Sequence, residues 1–163
     1  MEEGYREFVY VGTKNLPLDN DIRFMAFQME LKANGYDLET RNTLRISTDS
    51  RSDDGRLIQL LKDRSAPVGI FCYHDLLAVQ IYRVCNLLNK RIPEDVGIVG
   101  FDDLSVASTL SPPLTTIQYR IASMADMTAN LLLASIRSPN EPYDNYYVEP
   151  NLVIRGSSTL DGR

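Results

Sequence analysis

Val96-Gly-Ile-Val-Gly-Phe-Asp-Asp103 is an apolar run that ends in two adjacent carboxylates. Buried strands of parallel sheets have this composition, because helices cover both of their faces. Val68 to Cys72 is a second such run, and Glu7 to Gly12 is a third, which ends at a glycine. Thr43 to Ser47 alternates in the manner of a short strand. Helical patterns separate these runs, so the sequence predicts an α/β fold in which a parallel sheet is flanked by helices on both faces.

The remaining elements follow from apolar spacing and capping residues. Four helices are predicted: from Asp19 or Asn20 to Ala33 or Asn34, from Asp53 or Asp54 onward, from a cap at Asp75, and from Ile121 to Ile136. Two further short strands are predicted, at Tyr146 to Glu149 and at Leu152 to Arg155.

The composition argues against nucleic-acid binding through a basic surface, against a Cys/His metal site and against a membrane protein. The chain has 163 residues, with 17 Lys and Arg against 22 Asp and Glu, so a broad basic surface for nucleic acid is not expected. Cys72 and Cys85 lie in apolar or helical stretches, which predicts buried reduced thiols, and with a single histidine they make no metal site. The chain has neither a long apolar run nor a signal-peptide core at its N-terminus, so we expect a cytoplasmic protein.

The candidate binding residues follow the apolar runs, because ligands of open α/β sheets gather beyond the carboxyl ends of the strands. Asp102 and Asp103 could bind a metal ion, accept a phosphoryl group, bind sugar hydroxyls or cap a turn. His74 follows another strand, and Arg23 begins a helix that faces the same edge. The sequence has no phosphate loop and no nucleophile elbow, so we expect no catalytic residues and no cofactor.

Several runs together resemble the lactose and galactose repressor family. They are Gly69 to Ala78 (GIFCYHDLLA), Arg91 to Asp103 (RIPEDVGIVGFDD), Ser111 to Thr116 (SPPLTT) and Glu149 to Ser157 (EPNLVIRGS). Arg23-Phe-Met-Ala-Phe27 is similar to the Arg-x-x-Gly-Phe helix start of that family, with Ala in place of Gly. The resemblance covers nearly the whole chain and is dense from Val68 onward.

This resemblance implies a sensor with the periplasmic-binding-protein-like fold of two lobes. In the family a sugar or purine binds between the lobes and changes the DNA affinity of an N-terminal helix-turn-helix. Arg23, His74, Asp102 and Tyr119 match positions that contact the ligand. The family usually has Asn where this chain has His74, and imidazole offers a different set of hydrogen bonds.

The resemblance also implies how the chain divides. Residues 1–116 match the C-terminal lobe, 117–149 match a crossover helix and strand of a mostly missing N-terminal lobe, and 150–163 match the return segment. The apolar stripe of the helix from Ile121 would forgo roughly 1.5–3 kcal/mol for each large side chain left in water. We therefore expect this helix to dock on its own lobe, to pair with a second copy or to be disordered.

A homodimer is also implied, since the family dimerises largely through the C-terminal lobe. Val79, Tyr82 and Leu110 match that interface, although Val79 and Tyr82 could equally be core residues. The favoured function is ligand-controlled repression of transcription. One alternative is the sugar-binding component of a transporter, which shares the fold. The other is a Mg²⁺-dependent phospho-acceptor or hydrolase that uses Asp102 and Asp103, which would need a lysine aimed at this pair.

Overall fold

One mixed sheet organises the part of the chain that the computed structural model describes, residues 4–48, 51–64, 66–139 and 145–159. Within these ranges the strands are β1 (Glu7–Thr13), β2 (Thr43–Ile46), β3 (Val68–Cys72), β4 (Val96–Phe101), β5 (Thr115–Gln118) and β6 (Asn151–Val153). Their order across the sheet is β2-β1-β3-β4-β5-β6. The first five pair in parallel, whereas β6 runs antiparallel to β5. The predicted fold class is confirmed, with one antiparallel edge strand added.

Five α-helices lie in the described residues: α1 (Ile22–Ala33), α2 (Asp54–Lys62), α3 (Asp75–Leu87), α4 (Ser105–Thr109) and α5 (Ile121–Arg137). Helices α2 and α3 cover one face of the sheet. Val9 and Val11 of β1 point to that face and are fully buried in one core with Leu57 of α2 and Ile81 of α3. Burying each such side chain contributes about 1.5–3 kcal/mol, so this face holds most of the stabilising apolar surface.

Helix α1 covers part of the opposite face through aromatic rings. Tyr10 of β1 points away from the valine side, because successive strand residues alternate between faces. Its ring centroid lies 5.2 Å from that of Phe24 and 6.2 Å from that of Phe27, both on α1. Phe27 also lies 5.2 Å from Phe71 of β3. These contacts fix α1 over β1 and β3, with its first turn at the carboxyl ends of the strands.

The start of α1 lies later than the sequence predicted. Leu18–Asn20 forms a separate 3₁₀ turn, so neither Asp19 nor Asn20 caps the helix. The cap is Asp21, whose carboxylate accepts hydrogen bonds from the two backbone N–H groups that follow Ile22. The buried hydroxyl of Tyr10 donates to the same carboxylate over 2.6 Å. The aromatic packing and the helix start are thus tied together.

Asp75 does not cap α3, contrary to the sequence prediction. The capping position is His74, which makes no side-chain cap hydrogen bond. Asp75 is fully buried and points across the sheet, where its carboxylate accepts the N–H of Leu104 over 2.7 Å and the hydroxyl of Thr116 over 2.6 Å. A carboxylate in the first turn of a helix can accept hydrogen bonds from that helix or from a neighbouring loop. In this protein Asp75 accepts from the loop after β4.

Helix α5 has no buried residue, and apolar side chains such as Ile121, Leu132 and Ile136 are more than 60% exposed. It is a regular helix, so neither docking on its own sheet nor disorder describes it, and pairing with a second copy stays a prediction. The predicted strand at Tyr146 to Glu149 is wrong: residues 145–149 form no strand and are not part of the sheet in the described ranges. None of the described helices is long and apolar enough to cross a membrane.

Candidate functional site

Arg23 lies at the centre of the carboxyl edge of the sheet. Its guanidinium donates to the backbone oxygen of Tyr73 over 2.6 Å and to the hydroxyl of Tyr119 over 3.2 Å. The guanidinium carbon lies 4.3 Å from the ring centroid of Tyr73 and 3.9 Å from that of Phe101. A planar guanidinium between two rings gains cation–π attraction and loses freedom. The positive charge of Arg23 is therefore held in one orientation at the sheet edge.

Asp102 follows β4 and meets this cation. A carboxylate oxygen of Asp102 lies 3.7 Å from Nη2 of Arg23, and the Asp102 side chain is 30% exposed. Its backbone has a φ of 102° and its N–H donates to the carbonyl of Ile117 over 2.8 Å. Burial raises the pKa of the Asp102 carboxyl above its ordinary value, while the charges of Arg23 and His74 act to lower it. Asp102 is thus a partly exposed acceptor held beside a donor.

Tyr119 is the residue that follows β5, and it completes the edge. Its ring centroid lies 5.2 Å from that of Phe101 in an edge-to-face arrangement. Its hydroxyl accepts from Arg23 and is otherwise able to donate. The side chain is 36% exposed, so its outer surface is open.

His74 lies on the same edge, one residue after the carbonyl that anchors Arg23. Its ring packs against that of Tyr73, with centroids 5.5 Å apart. The Nδ1 atom is buried without a hydrogen-bond partner among the described residues. An unpaired buried nitrogen is unfavourable, so a bound hydroxyl or water at this position would stabilise it.

The structure brings the four sequence-predicted residues to one edge. Tyr73 and Phe101 enclose Arg23. Tyr73 lies in the stretch after an apolar run that the strand-end rule marks, whereas Phe101 was not singled out from the sequence. Both are the aromatic residues at the ends of apolar runs, a position that indicates a strand core as readily as a site wall. Together the six side chains offer donors, acceptors and flat apolar surfaces, which is the combination that a polyhydroxylated ligand requires.

A second charged group lies at the ends of β1 and β2. Nζ of Lys14 lies 2.8 Å from the carboxylate of Asp53, which is 2% exposed and also accepts the N–H of Ser47 over 3.0 Å. Burial acts to raise the pKa of Asp53, but the hydrogen bonds from Lys14, Ser47 and Arg56 lower it overall. Lys14 is therefore paired away from Asp102, which leaves the phospho-acceptor alternative without its lysine. No cluster of three or more metal-ligating side chains occurs among the described residues.

The predicted dimer residues lie away from this edge. Tyr82 of α3 is 9% exposed and its hydroxyl donates to the carbonyl of Pro112 over 2.8 Å. Val79 is partly exposed, and Leu110 is partly buried against the core. Tyr82 thus offers little surface of its own, and the interface assignment stays a prediction.

Comparisons with known proteins show which family this sequence matches. The family model of the periplasmic binding protein-like domain matches residues 1–158. The chain is 40% identical over 98 residues to the ribose operon repressor of Haemophilus influenzae, covering 60% of this chain and 30% of that protein. It is 28% identical over 158 residues to an HTH-type transcriptional regulator of Bacillus subtilis, covering 97% of this chain and 49% of that protein. The chain thus spans half or less of the length of these curated relatives.

Solved structures of transcriptional regulators superpose on this chain. A transcriptional regulator in complex with cellobiose superposes with a TM-score of 0.79 at 26% identity, covering 96% of this chain and 48% of that one. A LacI family transcriptional regulator from Enterococcus faecium with bound ribose superposes with a TM-score of 0.75 at 26% identity, covering 96% of this chain and 57% of that one.

Proposed function

The chain belongs to the periplasmic binding protein-like domain family, and on that premise we propose that it is the effector-binding part of a transcriptional repressor. In this proposal a small molecule, of which a sugar is the best candidate, binds at the carboxyl edge of the sheet. Binding then changes the DNA affinity of the regulator. Relatives named as repressors, and similar structures named as holding ribose or cellobiose, support this assignment.

The observation that carries the proposal is the meeting of Arg23, Asp102 and Tyr119 at one edge. Arg23 is fixed by Tyr73 and Tyr119, and Asp102 keeps a partly exposed carboxylate beside it. A carboxylate accepts from two neighbouring hydroxyls and a guanidinium donates to sugar oxygens, so the pair suits a vicinal diol. His74 adds a buried Nδ1 atom that has no hydrogen-bond partner within the described part of the chain.

The rest of the proposal concerns the whole regulator. DNA contact is assigned to a helix-turn-helix in a part of the regulator that residues 1–163 do not cover, because an acidic chain is a poor polyanion binder. A repressor acts on chromosomal DNA, so the proposal places the protein in the cytoplasm, without catalytic activity. A homodimer that uses Val79, Tyr82 and Leu110 is part of the same proposal.

The division of the chain is proposed on the same basis. Residues 1–116 form one lobe, 117–149 belong to a second lobe across the ligand, and 150–163 return to the first. The absence of any buried residue in α5 supports this division, because the first lobe does not bury its apolar stripe. A second lobe would bury that stripe and close the ligand site from above.

A ligand screen on the complete gene product tests the proposal. Ribose, cellobiose and purine bases are each added, and the melting temperature is followed. A ligand at 100 times its Kd stabilises the folded state by about 2.7 kcal/mol. We expect one of them to raise the melting temperature of the wild type, and we expect D102N and R23K to lose most of that rise.

The matched controls are D63N and R41K, which make the same substitutions at exposed residues away from the edge. They are expected to keep the full ligand response. A response that survives intact in both D102N and R23K would show that the ligand binds elsewhere. The absence of any response in the wild type would reject these three ligand classes.

A further inference from the structure

Asp103, the neighbour of the proposed ligand carboxylate, lies between two strands of the sheet edge. One of its carboxylate oxygens accepts from Nε2 of Gln118 over 2.6 Å, and the other accepts from Nη2 of Arg155 over 2.8 Å. The Asp103 side chain is 12% exposed, against 30% for Asp102. Because both oxygens of Asp103 are used by the protein, this residue holds the loop and does not offer itself to a ligand.

The two partners of Asp103 mark where the chain leaves the sheet and where it returns. Gln118 is the last residue of β5, directly before the segment that leads to α5. It pairs with Asn151, the first residue of β6, which follows that excursion. Arg155 comes just after β6, and its other terminal nitrogen donates to the carbonyl of Leu114 over 2.8 Å. One carboxylate is thus bonded to both crossing segments.

The loop that carries these two acids has an unusual backbone. Asp102 has a φ of 102° and Asp103 a φ of 51°, a region that side-chain-bearing residues seldom adopt. Such a conformation persists only when its surroundings determine it. On the α3 side, the Asp75 carboxylate accepts the N–H of Leu104 over 2.7 Å. On the side of β5 and β6, Gln118 and Arg155 donate to Asp103.

We propose that Asp103 is a positioning residue that couples Asp102 to the crossing strands β5 and β6. Its bonds to Gln118 and Arg155 make the placement of the Asp102 carboxylate depend on the geometry of the two segments that leave the sheet. Occupation of Asp102 therefore restrains those segments, and their movement alters the site in return. This coupling rests on the proposed function, since it assigns Asp102 to the ligand.

The first arm of the test measures amide hydrogen exchange in the complete gene product, with ribose as the probe. In the wild type, saturating ribose is expected to slow exchange at residues 102–104, 115–118 and 151–155 by fivefold or more. In D103N, which keeps the side-chain shape, we expect ribose to bind about tenfold more weakly, as loss of a charge-assisted hydrogen bond predicts. At saturation residues 102–104 are still protected, the protection at 151–155 is lost, and that at 115–118 is weakened, because the Asp102 N–H still donates to the Ile117 carbonyl.

This pattern separates coupling from simple support of the fold. A residue that only stabilises the structure would speed exchange in the free protein and leave the difference between free and bound forms unchanged. Full ligand protection of 115–118 in saturated D103N would overturn the proposal.

The second arm needs no ligand. R155M is expected to speed exchange at residues 102–104 about tenfold. The double variant D103N/R155M is expected to speed it by less than the product of the two single effects, because both variants remove the Asp103–Arg155 pair, while each also removes one bond of its own, to Gln118 or to Leu114. R91M is the matched control, since Arg91 pairs with Asp95 at the amino end of β4, far from the loop. If ribose does not bind the wild type, the proposed sugar ligand fails, while this arm still decides whether the loop at 102–104 depends on the bond between Asp103 and Arg155. Additive or absent effects of D103N and R155M on 102–104 would reject it.

Discussion

Replacing Arg23 by methionine should destabilise the protein although the residue sits at a partly open edge. The side chain is 21% exposed, and its contacts can be summed from the structure. A charge-assisted bond to the Tyr73 carbonyl contributes about 1.5 kcal/mol. The bond to the Tyr119 hydroxyl and the two ring contacts add about 0.5 kcal/mol each. The pair with Asp102 is long and partly solvated, and adds at most about 0.5 kcal/mol.

Because these contributions share one side chain they are not additive, and we expect R23M to lower the free energy of unfolding by about 2–3 kcal/mol. For a chain of this size that corresponds to a fall of roughly 4–12 °C in melting temperature. Urea unfolding followed by circular dichroism measures the free energy, with R41M as the control because Arg41 is largely exposed.

The same variant has an electrostatic consequence. The positive charge of Arg23 acts to lower the pKa of Asp102, so its removal should raise that pKa further. Carbon-detected NMR titration of the Asp102 carboxyl measures this change. A free energy of unfolding within 0.5 kcal/mol of the wild type, together with an unchanged Asp102 pKa, would refute the reasoning that Arg23 is fixed in place by these contacts.

Three further outcomes are expected. The pKa of Asp53 is lowered in the folded state, so the wild type loses stability as the pH falls from the ordinary aspartate range through that lowered value. D53N should lack this acid-dependent loss, as measured by urea unfolding at pH 2–5. I98A removes a fully buried side chain and should cost about 2–5 kcal/mol in urea unfolding. G97A places a methyl group against the Tyr5 ring, closer than a real Cβ contact allows, so it should displace that ring, raise tyrosine exposure in fluorescence quenching and destabilise the fold. Y5A/G97A should be no less stable than Y5A, because Y5A removes the ring that the methyl group meets.

The buried strands were predictable because their composition leaves one interpretation. Val68–Cys72 and Val96–Phe101 begin and end where the apolar runs do, since no polar residue interrupts them. Tyr146 to Glu149 has strand-forming residues as well, yet forms no strand. A strand needs a neighbour to satisfy its backbone groups, and the local sequence does not say whether one is present.

For the candidate site, the sequence predicted which residues share an edge of the sheet, but not how their side chains contact one another. The rule that ligands gather at carboxyl ends of parallel strands placed Arg23 and Asp102 together. The sequence could not predict that Tyr73 and Phe101 enclose the guanidinium, because the ring positions depend on how α1 lies across the sheet. The sequence also predicted that Asp75 caps its own helix. Local capping rules do not include the N–H of Leu104, which is distant in sequence and donates to the Asp75 carboxylate.

The left-handed backbone at Asp102 and Asp103 restricts what mutagenesis can reveal about this loop. Asparagine and glycine tolerate that conformation, so they remove charge while leaving the chain path in place. Valine or isoleucine would change the path and the charge at once, and the phenotype of such a variant would report on shape as much as on chemistry. Libraries that seek a new ligand preference are therefore better varied at Tyr119 and His74, leaving the two aspartates to conservative exchanges.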